Sequence, residues 1–241
     1  MAGPIALVGS GEFLEAMRAV DEQLLAGRRR VVAVLATAAA EEGPARVAYW
    51  FDLARAHYAE LEAEVLALPV LERADAERAD LASLLHGAGL VYLSGGNPGY
   101  LAATLRSSAC WEAICAAHRA GAALAGCSAG AMALGAVAPD VRRAGRVEPG
   151  LGLLPTLAVV PHFDHPSGFA ERLLGRVRAA SGPEVHVVGI EEETALVGGP
   201  HRFAVAGRGA AWVIGPGAAR RRYGRGELLE IGGRLEEGAL A

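Results

Sequence analysis

Short runs of unbroken apolar residues recur at 4–8, 31–35, 65–68, 90–93 and 122–125. Each is followed by a stretch that reads as helix: 13–26, 44–64, 74–85, the segment after Asn97 and the segment after Ser128. A strand with no polar alternation must be covered on both faces, and a strand that alternates with helices reaches its next parallel neighbour through a crossover. The expected fold is therefore an α/β three-layer sandwich, with a mostly parallel central sheet and helices on both faces. Past Pro139 the pattern loosens. Residues 141–155 read as a loop or short hairpin, followed by a strand at 157–160 and a helix at 168–180. From residue 185 strands dominate, at 185–190, 194–197, 202–205 and 211–214, separated by Gly and Pro turns. They predict a β-rich C-terminal extension of the same sheet or a small antiparallel flap. No repeat, linker or low-complexity segment divides residues 1–241, so a single domain is expected.

Composition closes off several classes. With 52% hydrophobic and 21% charged residues, a chain of this length buries roughly 70 to 75% of its unfolded surface, which excludes disorder as the main state. All 23 basic residues are arginine and the formal charge is -4; the basic residues are scattered apart from the triplets 28–30 and 220–222, which do not make a phosphate-tracking face. Nucleic acid is not an expected partner. Residues 120–139 carry no charge over about the length that spans a bilayer. Their Ala and Gly content, with Cys127 and Ser128 in the middle, fits a strand, a tight turn and a buried helix better, so no membrane association is expected. Cys110, Cys115 and Cys127 are odd in number and form no CxxC pair, which argues against a disulfide framework or a structural zinc and for a reducing compartment. The opening residues lack a basic segment before their apolar run and read as a first strand rather than a signal peptide, so the expected location is cytoplasmic.

The sharpest local signal is Gly126-Cys127-Ser128-Ala129-Gly130, directly after the run at 122–125. A nucleophile raised on a sharp strand-to-helix turn needs the positions two before and two after it to lack a Cβ. Of the eight serines only Ser128 meets that condition. The N–H of Ala129, at the start of the following helix, is a candidate oxyanion donor. Cys127, at the motif's second position, would point away from the tip. A second glycine turn, Ser94-Gly95-Gly96-Asn97-Pro98, follows the run at 90–93; Gly96 N–H is the candidate for the second donor, and Asn97 the candidate both to cap the next helix and to contact substrate.

A serine nucleophile needs a base. Of seven histidines, His162 stands at the C-terminal end of the strand 157–160, where catalytic groups gather in open parallel sheets. His165 is the second choice, and a metal site of His162, Asp164 and His165 is a further alternative that lacks another ligand pair at zinc-like spacing. The base is oriented by a carboxylate. Glu191, Glu192 and Glu193 follow the strand 185–190, with one of them facing inward; Asp140 is the alternative acid. Arg172, on the helix 168–180, is a candidate for a substrate carboxylate.

This constellation resembles the serine peptidase family that contains dipeptidase E, the aspartyl dipeptidase, and cyanophycinase, which have a class I glutamine amidotransferase-like α/β fold. The residues that carry the resemblance are Gly9-Ser10-Gly11-Glu12-Phe13, the turn from Ser94 to Asn97, the elbow from Gly126 to Gly130, Pro161-His162-Phe163, and the run from Gly189 to Ala195. The chain order Ser, His, Glu separates it from the α/β-hydrolases, where the acid precedes the histidine. The resemblance implies Ser128 as nucleophile, His162 as base and Glu192 as orienting acid, the last from the cyanophycinase-like pattern before Thr194-Ala195. The dipeptidase branch, with an Asp between nucleophile and His, would bring Asp140 forward. If Glu192 continues the extended strand, its side chain faces opposite to those of Glu191 and Glu193.

Asn97-Pro98 stands where cyanophycinases commonly have Asp-Gln, a departure that weakens any claim to cyanophycin itself. The resemblance implies a serine-type peptidase that hydrolyses a small peptide with an α- or β-linked aspartyl residue through an acyl-enzyme, with no cofactor. A homodimer is left open. A glutamine amidotransferase would have Cys at the elbow's third position, where Ser128 stands. The rival from another class is a catalytically silent or sensor-type binding module on the same fold.

Overall fold

The computed structural model describes residues 1–143, 146–215 and 219–231. Five strands build the parallel part of the main sheet: β1 (Ile5–Val8), β2 (Val31–Leu35), β3 (Glu64–Leu68), β4 (Leu90–Leu93) and β5 (Ala123–Cys127). Between them run α1 (Arg18–Leu25), α2 (Pro44–Ala59), α3 (Arg73–Ala76), α4 (Ala79–Leu84), α5 (Pro98–Leu105) and α6 (Ala109–Arg119). Then follow α7 (Ala129–Leu134), the short antiparallel pair β6 (Val137–Pro139) and β7 (Val147–Pro149), β8 (Leu157–Val160), α8 (Phe169–Ala180), β9 (His186–Ile190), β10 (Thr194–Gly198), β11 (Arg202–Gly207), β12 (Ala211–Ile214), β13 (Arg220–Tyr223) and β14 (Leu228–Glu230). The loop or hairpin expected at 141–155 is thus in part a pair of strands, and residues 144–145 of it lie outside the described residues.

The main sheet has the order β14-β11-β10-β1-β5-β4-β2-β3, parallel from β1 through β3 and antiparallel from β10 outward. Period-two alternation divides its side chains between two cores. Ala6, Val8, Val32, Val34, Leu90, Tyr92 and Ala125 pack with Phe13 and with α1 and α2 residues such as Leu24, Phe51 and Tyr58. Ile5, Leu7, Ala33, Leu35, Val91, Leu93 and Leu124 face the opposite way, toward Leu101, Ile114 and Met132 of α5, α6 and α7. Both faces of the sheet are covered, as unbroken apolar strands require.

The C-terminal strands do not all extend this sheet. While β10, β11 and β14 join it, β8 and β9 pair in parallel and combine with β12 and β13 as a second, four-stranded sheet in the order β13-β12-β9-β8. Val159, Val188 and Val213 from this second sheet share the core of α5 to α7. Three expected helices are also interrupted. Phe13 at φ 63 delays the first until Arg18, Arg78 in extended backbone splits residues 74–85 into α3 and α4, and Ser107 at φ 56 separates α5 from α6. Ser108 then caps α6, accepting the Trp111 N–H at 3.1 Å. Among the described residues no helix is long and apolar enough to cross a membrane.

Candidate active site

Parallel strands end at one edge of a sheet, and that edge collects the turns after β1, β4 and β5. Ser128 follows β5 with φ 48 and ψ -105, a backbone state that costs an L-residue on the order of 1–3 kcal/mol and persists only where its surroundings over-determine it. The surroundings here are two glycines. A Cβ on Gly126 would lie 2.5 Å from the Gly130 carbonyl carbon, and one on Gly130 would lie 2.2 Å from the Leu93 backbone oxygen. The turn therefore closes against itself and against the end of β4. Gly130→Ala is expected to cost about 1–3 kcal/mol, lowering Tm by roughly 2–10 °C, and to reduce activity by displacing Ser128, because a backbone carbonyl cannot yield as a side chain would. Thermal unfolding and an activity assay on the same sample check this.

The second sheet brings the histidine and the carboxylate. Since β8 and β9 are parallel, with Val160 opposite Gly189, their C-terminal ends lie together, and Pro161-His162 and Glu191-Glu192 leave side by side. Gly189 has room for no side chain: a Cβ there would lie 2.4 Å from the Phe163 ring, which packs flat against the strand beside His162. The segment Glu191–Glu193 then crosses from β9 to β10, which pairs with β1 in the main sheet, and Gly9 N–H donates to Thr194 O at 2.9 Å. This crossing carries Glu192 to the elbow edge. Ser128 Oγ lies 3.1 Å from His162 Nε2, and His162 Nδ1 lies 2.8 Å from Glu192 Oε1. A carboxylate only accepts, so Nδ1 carries the hydrogen and Nε2 is left to accept from the serine hydroxyl.

Glu192 is separated from its neighbours by a turn and not by strand alternation. β9 ends at Ile190, and Glu193 has φ 50. Glu191 accepts from Trp212 Nε1 and from Ala210 N–H, each at 2.8 Å, and Glu193 pairs with Arg208 at 2.8 Å. Asp140, the alternative acid, is engaged elsewhere. Its Oδ1 accepts from Asn97 Nδ2 at 2.9 Å and from the Arg142 and Arg143 N–H groups at 2.9 and 3.0 Å. Burial works against its charge, but these bonds together outweigh it and hold the carboxyl below the usual Asp range. Asp164 Oδ1 accepts the Glu192 N–H at 2.9 Å, and His165 Nδ1 is paired with Ser167 Oγ at 2.8 Å. The described residues hold no group of three His, Cys, Asp or Glu side chains placed for a metal.

The two candidate oxyanion donors lie at the ends of neighbouring strands. Gly96 N–H and Ala129 N–H have no hydrogen-bond partner among the described residues, and a Cβ on Gly95 would lie 3.7 Å from Ser128 Cβ, so the glycine turn flanks the serine. Asn97, expected to contact substrate, is instead 2% exposed. Its Nδ2 donates to Glu41 and Asp140, its Oδ1 accepts the Val141 N–H, and it makes no side-chain capping bond, so no polar atom is left for a ligand. Arg172 is exposed, and with His162, His165, Ser167 and Phe169 it lines a cleft of about 280 Å³. Cys127 points into the α1/α2 core, where burial, reinforced by Glu12, pushes its thiol well above the usual range and keeps it uncharged.

Glu12 had no assigned role in the sequence reading. Only 5% exposed, it accepts from Gly95 N–H at 2.9 Å and from the Cys127 thiol at 2.8 Å. Its position in the motif after β1 was the available signal; the partners, 83 and 115 residues away, were not visible.

A serine on a strand-to-helix turn, hydrogen-bonded to a histidine and through it to a carboxylate at the edge of an α/β sheet, defines the class of serine hydrolases. The model of peptidase family S51 matches residues 5–204, and the chain belongs to that family, as a serine-type peptidase. The resemblance to dipeptidase E and cyanophycinase agrees with this membership. Among solved structures, the crystal structure of a peptidase from an acI-B1 actinobacterium is 33% identical with a TM-score of 0.84, over 95% of this chain and 97% of that one. A protein from Listeria monocytogenes EGD-e, described as a "putative peptidase E protein", shares the fold at 14% identity and a TM-score of 0.63, over 93% of this chain and 99% of that one. None of the curated proteins matches the chain.

Proposed function

We propose that this peptidase hydrolyses short peptides containing an aspartyl residue, with Ser128 as nucleophile, His162 as general base and then acid, and Glu192 as the group that orients His162. The hydrogen-bonded chain Ser128–His162–Glu192 carries the reading. Ser128 Oγ bonds to the scissile carbonyl carbon as its proton passes to His162 Nε2, and the carbonyl oxygen takes the negative charge opposite the N–H groups of Gly96 and Ala129. The imidazolium, held by Glu192, returns the proton to the leaving amine as the C–N bond breaks. Water, deprotonated by His162, then releases the acyl group and regenerates the hydroxyl.

The aspartyl preference is supported by Arg172, which lines the same cleft as His162. Among the described residues its guanidinium has no carboxylate partner, and its hydrogen bond, to Ser167 O, is long at 3.4 Å. A substrate carboxylate would supply a bidentate partner. Arg172→Gln is expected to lower kcat/KM for aspartyl dipeptides by roughly 10- to 100-fold and to leave non-acidic dipeptides within a few-fold, as befits the loss of a charge-assisted pair at an exposed position. A panel of α-aspartyl, β-aspartyl and non-acidic dipeptides, with Ser128→Ala as blank, tests this. Equal losses across the panel would remove the preference. The three unpaired cysteines support a reducing, cytoplasmic location.

A further inference from the structure

We propose that Glu12 is a positioning residue that fixes the oxyanion turn Gly95-Gly96 relative to Ser128; the inference rests on the serine-peptidase reading of this site. Glu12 leaves β1 and lies between the two turns that must cooperate. One carboxylate oxygen receives Gly95 N–H, which turns that peptide inward, and the other receives the thiol of Cys127, the last residue before the nucleophile. The contact is close: a Cβ on Gly95 would lie 2.9 Å from Glu12 Oε1. Burying a carboxylate is costly unless its oxygens are partnered, and here both are. Phe13 anchors the segment from below, its ring 4.8 Å from that of Tyr92 on β4 and 5.9 Å from that of Tyr58 on α2.

With Gly95 N–H committed to Glu12, the next N–H along the turn, that of Gly96, is the one left to face the reacting carbonyl. One side chain thereby ties the C-terminal ends of β1, β4 and β5 into a single frame. The Cys127 thiol, kept protonated by burial, serves as a donor in that frame and not as a nucleophile. An oxyanion donor acts in the transition state, so loosening it should lower kcat and leave KM nearly unchanged.

The test compares Glu12→Ala, Glu12→Asp and Glu12→Gln with the full wild-type chain, measuring kcat and KM for a cleaved dipeptide and the Kd of phenylboronate, whose tetrahedral adduct with Ser128 uses the oxyanion donors. Gln retains an acceptor for Gly95 N–H and is expected to stay within about tenfold of wild type, while Asp, too short to reach both partners, and Ala lose roughly 10²-fold in kcat and in boronate affinity with KM within about threefold. If Ala does not fold, the contrast between Asp and Gln carries the result. Asp and Ala variants that fold with wild-type kcat and boronate affinity would overturn the positioning role alone. A wild-type enzyme whose boronate affinity is unaffected by Ser128→Ala would overturn the serine reading, and this inference with it.

Discussion

Ser128→Ala is expected to lower turnover by about 10⁴- to 10⁶-fold while leaving Tm within a few degrees of wild type. The change removes one oxygen from the tip of a turn whose geometry is set by Gly126 and Gly130, so nothing that holds the elbow is lost. What remains is binding and any catalysis by the oxyanion donors acting on water. Cys127→Ser is the informative companion. The thiol is buried, uncharged and hydrogen-bonded to Glu12, and a hydroxyl can donate the same bond, so this variant should keep activity within about tenfold. An active Ser128→Ala beside a dead Cys127→Ser would assign the nucleophile to the thiol. Steady-state rates and thermal melts on the two variants decide the matter.

Glu192→Gln should lower kcat by roughly 10²- to 10⁴-fold with little change in KM. An amide at this position can donate to Nδ1 and so stabilise the tautomer whose Nε2–H can no longer accept the serine proton. The carboxylate is 41% exposed, which lets water replace it in part and places the loss toward the lower end of that range. Its neighbours provide the control. Glu193→Gln disturbs only the pair with Arg208, and Glu191→Gln weakens the bonds to Trp212 and Ala210, so both should retain kcat within a few-fold even where stability falls by about 1 kcal/mol. Asp140→Asn should affect the loop around Asn97 and the Arg142 and Arg143 N–H groups, not the hydrogen bond between His162 and Glu192.

The local parts of this architecture were legible because they depend on neighbours in sequence. The runs at 90–93 and 157–160 are β4 and β8 to the residue, and the glycines around Ser128 required the sharp turn that the structure contains. The partition into two sheets was not legible, because β8, β9, β10 and β12 are mostly apolar and four or five residues long, and nothing in one strand's composition says which sheet it joins. Asn97 shows the same limit at a single residue. Its position before Pro98 fits a cap, yet its side chain turns to Asp140, 43 residues later, and so leaves both the helix end and the substrate cleft. The separation of Glu192 from Glu191 and Glu193 was expected from strand alternation, whereas a turn with one left-handed residue produces it.

The central claim is that Ser128 is the group that forms a covalent bond to the substrate's acyl carbon. A fluorophosphonate reports this directly, since it requires an activated serine oxygen and leaves a stable phosphonyl ester. Intact-mass analysis followed by peptide mapping should find one adduct per chain, on Ser128, absent in Ser128→Ala and slowed in Glu192→Gln. An unmodified wild-type chain, or an adduct on any other residue, would contradict the account.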